Sequence, residues 1–91
     1  MRRAARIDES QTAIVNALRK AGASVTLIQW PVDAIVGFRG TTLLMEFKTA
    51  GTYYARKPNK NQREFMATWL GGPVSMVDGP EAALRAIGVI A

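Results

Sequence analysis

The chain has 91 residues, 48% of them hydrophobic, which suits one small domain with a real but thin core. Cysteine and histidine are both absent, which excludes disulfides, most zinc sites and every catalytic triad that uses imidazole as its base. Any metal must then be held by oxygen ligands, which favours Mg2+ or Mn2+, and any catalytic base must be a carboxylate, a lysine or a metal-activated water.

The formal charge is +5, and seven of the basic residues fall in two groups. Arg2, Arg3 and Arg6 form a basic N-terminal arm over residues 1–6, and Arg56, Lys57, Lys60 and Arg63 cluster further on. The other five bases face seven acids, so the rest of the chain stands at −2. Two basic patches on a near-neutral body suggest a polyanionic partner, with ordinary solubilising charge as the alternative. No apolar run is long enough for a transmembrane span, and the basic start leads into a polar stretch rather than a signal core, so the expectation is a cytosolic protein.

In chain order, Asp8 and Gln11 have the spacing of a capping box. Ile7, Gln11, Ile14, Val15 and Leu18 follow at helical period, which predicts a first helix over about residues 8–21. Arg19 and Lys20 suit its negative end and Gly22 its C′ position. Val25 to Ile28 reads as a strand, Val32 to Phe38 as a second and Thr42 to Lys48 as a third, with Arg39-Gly40 as the tight turn between the last two. Residues 49–61 lack apolar periodicity and read as a loop. A helix over about 60–70 carries Phe65, Met66, Trp69 and Leu70 as its apolar stripe and ends at Gly71-Gly72-Pro73. Val74 to Val77 is a fourth strand, and Asp78-Gly79-Pro80-Glu81 opens a last helix with Leu84 and Ile87 inward, closed by Gly88. The order is α-β-β-β-α-β-α. The near-continuous apolar character of the second and third strands predicts burial on both faces, hence an α/β fold with helices on both sides of the sheet.

Five of the seven acids have a capping or helix-dipole explanation: Asp8, Glu9, Glu64, Asp78 and Glu81. Asp33 and Glu46 have none, because both fall in strands that otherwise read as buried. A two-residue turn at Arg39-Gly40 pairs Phe38 with Thr41, and the same register sets Asp33 opposite Glu46. Directly opposed Cβ atoms lie roughly 4.5–5.5 Å apart, where like charges destabilise a sheet and a cation between them removes the repulsion. Lys48, two residues beyond Glu46, shares its face by strand alternation. Two carboxylates and an ammonium thus converge at one end of a buried hairpin, and divalent-cation sites on oxygen ligands are built this way. The lysine can orient an attacking water or stabilise charge on a phosphate. The alternative is a structural Glu46–Lys48 ion pair beside a solvated Asp33.

Gln62 lies on the apolar side of its helix, where a buried amide needs partners. It either reaches the third-strand site or caps its own helix through Asn59. The segment Thr52 to Lys60 mixes Tyr53 and Tyr54 with Arg56, Lys57 and Lys60 and has no acid. Its bases can hold phosphates while the tyrosines pack on sugars or bases; the alternative is a solvated loop with tyrosines folded back on the body.

These residues resemble the PD-(D/E)XK nuclease superfamily, and within it the virus-type replication-repair nuclease (VRR-NUC) domains and the Holliday-junction resolvases, over roughly residues 6–88. The family's proline-aspartate strand motif is similar to Pro31-Val32-Asp33-Ala34-Ile35-Val36-Gly37, here with a valine between proline and aspartate. Its acidic-x-lysine motif matches Glu46-Phe47-Lys48, and its downstream glutamine matches Gln62 in Asn61-Gln62-Arg63-Glu64-Phe65. The stretches Gly72-Pro73-Val74 and Glu81 to Leu84 also resemble the family.

The resemblance implies a restriction-endonuclease-like αβββαβ core, with a central mixed sheet flanked by helices and a short C-terminal helix added here. It also implies a homodimer and Mg2+-dependent cleavage of DNA phosphodiesters, in branched DNA such as Holliday junctions. On that basis Asp33 and Glu46 hold the metal with the Phe47 backbone carbonyl, Lys48 positions the nucleophilic water, and Gln62 orders the lysine or the water. Arg56, Lys57, Lys60, Arg63, Tyr53 and Tyr54 meet the DNA. Related resolvases often add a glutamate from the first helix as a ligand; Glu9 is the one glutamate there, while Gln11 occupies the inward stripe. A catalytically silent nucleic-acid-binding module on the same fold is the reading from a different class.

Overall fold

A computed structural model describes the backbone of residues 3–48 and 60–91, and the side chains within those ranges from residue 11 onward. It is an α/β domain: helix α1 (Arg3–Lys20), strands β1 (Ser24–Leu27), β2 (Ala34–Phe38) and β3 (Thr41–Phe47), helix α2 (Lys60–Thr68), strand β4 (Val74–Val77) and helix α3 (Pro80–Ala86). The order of elements is the expected one. The strands form one mixed sheet in the order β1-β2-β3-β4, flanked by helices. β1 to β3 run antiparallel, and β4 lies parallel to β3 after the crossover that contains α2.

The hairpin has the expected turn and register. Arg39 and Gly40 both take positive φ, 51° and 81°, as a two-residue turn matched to strand twist requires. Phe38 pairs with Thr41 and Ala34 with Met45. Gly22 (φ 102°) and Gly88 (φ 85°) supply the left-handed residues that follow α1 and α3.

One sheet face carries the core. Val25, Ala34, Val36, Met45 and Val77 share that face by register and pack with Ile14, Val15 and Leu18 of α1 and Ala83 of α3. The fully buried Ile14 and Leu18 belong to the helical stripe expected from their spacing.

Several boundaries differ from the sequence expectation. Helix α1 starts at Arg3 rather than near Asp8, so residues 3–6 are helical and not a separate arm, and no acid lies in the first turn. Alanine and arginine are strong helix formers, and the run Arg3-Ala4-Ala5-Arg6 extends the helix past the capping-box signal. Strand β2 begins at Ala34, leaving Asp33 just outside it. The N-cap of α3 is Gly79, with no side-chain capping bond, so Asp78 does not cap it.

Helix α2 ends at Thr68, short of Trp69 and Leu70. Its stripe is therefore narrower than expected. Phe65 and Met66 are half-buried, Leu70 is 96% exposed, and Trp69 folds onto Phe65 at 5.2 Å between ring centroids. The Trp69 indole N–H donates to the Gly72 carbonyl (2.7 Å), and the ring lies so close to Gly71 that a Cβ there would clash with it.

Burial on both sheet faces does not hold either. The face opposite the core bears Thr26, Ile35, Leu44 and Met76, of which Ile35 and Met76 are 38% and 42% exposed. Both large helix contacts, those of α1 and α3, serve the core face, so apolar strand residues on the other side stay partly open. Among the described residues, no helix is long and apolar enough to cross a membrane.

This asymmetry predicts unequal truncation costs. Leu18→Ala should lower unfolding free energy by about 2–5 kcal/mol in a denaturant titration. Ile35→Ala, on the partly open face, should cost about 1 kcal/mol or less. Equal losses at the two positions would contradict the one-sided core.

Candidate metal centre

Strand β3 outlasts β2. The ladder ends at the Ala34–Met45 pair, yet β3 continues to Phe47. In an antiparallel ladder the N–H and C=O of one residue point to the same neighbour, and alternate residues point to opposite ones. Phe47 is thus directed to the side where β2 has not yet begun. Its N–H finds an acceptor in a side chain: it donates to Asp33 Oδ2 at 2.8 Å. By the same alternation the Phe47 carbonyl faces that side too. On the other edge the Lys48 N–H donates to the Val77 carbonyl (2.7 Å), which carries the parallel pairing with β4 one residue further.

The loop before β2 holds Asp33 from behind. The Ile28 N–H donates to the Asp33 carbonyl (2.8 Å), closing the loop at its base, and Val32 is fully buried. Asp33 is thereby fixed through its own backbone and through its carboxylate.

Glu46 lies on the sheet face opposite the core but is only 6% exposed. One carboxylate oxygen, Oε2, pairs with Lys48 Nζ at 3.3 Å, and both side chains are largely buried. The other, Oε1, is buried without a hydrogen-bond partner. A buried carboxylate oxygen without a donor is costly and calls for an explanation: a proton shared with the adjoining Asp33 carboxyl is one, and a bound cation is another. Burial above all, and then the negative charge of Glu46 and a hydrogen bond shared with its carboxylate, pushes the Asp33 carboxyl up to about 6, against the opposing pull of the Phe47 amide and the Lys48 ammonium.

The structure thus brings together Asp33, Glu46, Lys48 and the Phe47 backbone. Among the described residues, no group of three or more acidic, histidine or cysteine side chains is placed to hold a metal. Two carboxylates with a backbone carbonyl still suit Mg2+, which keeps several waters and takes one or two protein carboxylates with substrate phosphate oxygens. Gln62 is buried on α2, as its place on the apolar side suggested. Lys60 and Arg63 are exposed on the same helix. Tyr53, Tyr54, Arg56, Lys57 and Asn59 lie outside the described residues, as does the side chain of Glu9.

Sequence reasoning missed the Phe47 amide as the anchor of Asp33. The signal was available in principle. The hairpin register directs Phe47 toward β2, and Pro31 limits how far that strand can run. No family model matches the chain, and neither a curated protein nor a solved structure is significantly similar to it.

The raised Asp33 carboxyl gives a pH dependence with a definite sign. Its stabilising effect is fully present below the ordinary carboxylate value near 3.8 and is lost as pH rises through about 6, because ionising it in the fold is harder than in the unfolded chain. The melting temperature of the wild type relative to Asp33→Asn, measured without divalent ions, should therefore rise as pH is lowered from 7.5 to 5. Mg2+ should stabilise the wild type more at the upper end of that range, where the carboxylate is ionised. A difference that stays flat with pH would show that Asp33 is not held in this environment.

Proposed function

We propose that the chain is a Mg2+-dependent endodeoxyribonuclease of the restriction-endonuclease-like class that hydrolyses phosphodiesters in branched DNA, acting as a homodimer. The observation that carries this reading is the burial of Glu46 within hydrogen-bonding reach of a second carboxyl, Asp33, with Lys48 at 3.3 Å from the same Glu46 carboxylate. A purely structural Glu46–Lys48 ion pair gives no reason to bury a second carboxyl beside it.

In this reading Asp33 Oδ1, Glu46 Oε1 and the Phe47 carbonyl hold the cation. When bound, it supplies Lewis acidity toward the phosphodiester and lowers the pKa of a water. Asp33 and Glu46 need no large rearrangement to serve, because Oδ2 is already fixed by the Phe47 amide and Oε2 by Lys48. The Lys48 ammonium donates hydrogen bonds to the attacking water or to the non-bridging phosphate oxygens, where negative charge accumulates as the P–O bond to water forms and the ester oxygen leaves. Gln62, buried on α2, orders the lysine or the water.

Exposed Lys60 and Arg63, with Arg56 and Lys57 and the tyrosines Tyr53 and Tyr54, supply the phosphate and base contacts that the net charge of +5 favours. A two-fold dimer presents two such sites to two strands.

Glu46→Gln and Asp33→Asn should each abolish Mg2+-dependent cleavage while leaving DNA binding equal or tighter, since each removes a negative charge facing phosphate. Full activity in either variant would sink the assignment.

Lys48 has two possible roles with different signatures. Lys48→Ala should lower turnover far more than binding if the ammonium acts in the transition state. A loss confined to the melting temperature, with turnover intact, would make Lys48 only the counter-ion of Glu46.

A further inference from the structure

Trp30 sits in the four-residue loop 29–32 that the Ile28–Asp33 hydrogen bond closes at its base. This loop is tightly specified. The Trp30 N–H donates back to the Ile28 carbonyl at 3.0 Å, a three-residue turn centred on Gln29, whose φ is +81°. Such a turn is rare and strained for a residue other than glycine. On the far side of Trp30, Val32 is fully buried and pins the loop to the body.

The strained turn and the anchor together present, three residues before Asp33, a tryptophan that is 57% exposed. Burying that ring is the ordinary outcome for tryptophan. A fold that instead holds it out on a strained backbone points to a ligand for its face.

We propose that Trp30 is a stacking platform for an unpaired nucleobase beside the phosphate cleaved at Asp33 and Glu46. The proposal rests on the nuclease reading for what the neighbouring site does. Every base offers a π face, and stacking on an aromatic ring tolerates any base identity. In an intact duplex those faces are already covered by neighbouring pairs. Only a base freed from the stack, at a fork, a flap or an open branch point, can lie on the indole. Trp30 therefore sets selectivity for DNA structure rather than for sequence. Because the loop is fixed at both ends, little conformational freedom is lost on binding. Trp30 is a specificity residue and takes no part in the chemistry.

The test measures binding by fluorescence anisotropy in EDTA, so that it is independent of cleavage. The probes are a labelled single strand, a forked duplex and a blunt duplex of the same sequence. Trp30→Ala and Trp30→Leu should each weaken the single strand and the fork about ten-fold or more, leave the blunt duplex unchanged, and be largely rescued by Trp30→Phe.

Wild-type binding of all three probes by Trp30→Ala would overturn the proposal, as would an equal loss on all three, or rescue by leucine. A smaller species for Trp30→Ala in sedimentation would overturn it too, by assigning the ring to self-association. Cleavage of the fork with Mg2+ is assayed in parallel. Absence of cleavage with Trp30-dependent binding refutes the nuclease reading alone, and cleavage without Trp30 dependence refutes the platform alone.

Discussion

The hydrogen bond from the Phe47 amide to the Asp33 carboxylate is where the fold becomes a site. A sheet strand that outlasts its neighbour leaves an N–H with no ladder partner, and a buried amide of that kind must find another acceptor. Here the acceptor is the side chain that the missing strand would have carried alongside. The bond ties the entry of β2 to the end of β3 and brings one carboxylate beside another on a frame of backbone hydrogen bonds. Lys48 is held from the opposite edge through Val77, so the two sides of β3 deliver the acids and the base to one place.

Such an arrangement opposes stability. Two carboxylates lie side by side in partly buried surroundings, and one oxygen of Glu46 satisfies no donor. Lys48 and the Phe47 amide offset part of this. The opposing contribution comes from the other side of the sheet, where α1 and α3 bury Ile14, Leu18, Val36 and Met45. The domain therefore divides its labour by sheet face: one face supplies cohesion, and the other carries charge and remains partly open. Proteins commonly place locally unfavourable groups at functional positions and compensate elsewhere.

The loop ahead of Asp33 follows the same logic at the level of the backbone. Gln29 is held at a positive φ that its side chain disfavours, and the buried Val32 on one side and the Ile28–Asp33 bond on the other hold it there. Without those two anchors the turn would relax, and Asp33 would lose its support from behind.

Periodicity and turn chemistry were enough to order the seven elements, to set the ends of β4, and to register β2 against β3, which directs Asp33, one residue before β2, toward Glu46. These are local properties. Arg39-Gly40 closes a two-residue turn, and every pair outward from it follows by alternation. The acidic-x-lysine spacing on β3 likewise requires only that successive side chains alternate. The start of α1, the end of α2 and the covering of the second sheet face were not legible, because each depends on which surfaces meet. Trp69 has helical spacing with Phe65, yet it turns onto Gly71-Gly72 instead of continuing the stripe. Tertiary structure alone decided that Glu46 is buried against a second carboxyl, that Asp33 is anchored by a main-chain amide, and that Trp30 stands exposed. A residue's burial and its hydrogen-bond partners are set by elements far away along the chain, and no local pattern encodes that meeting.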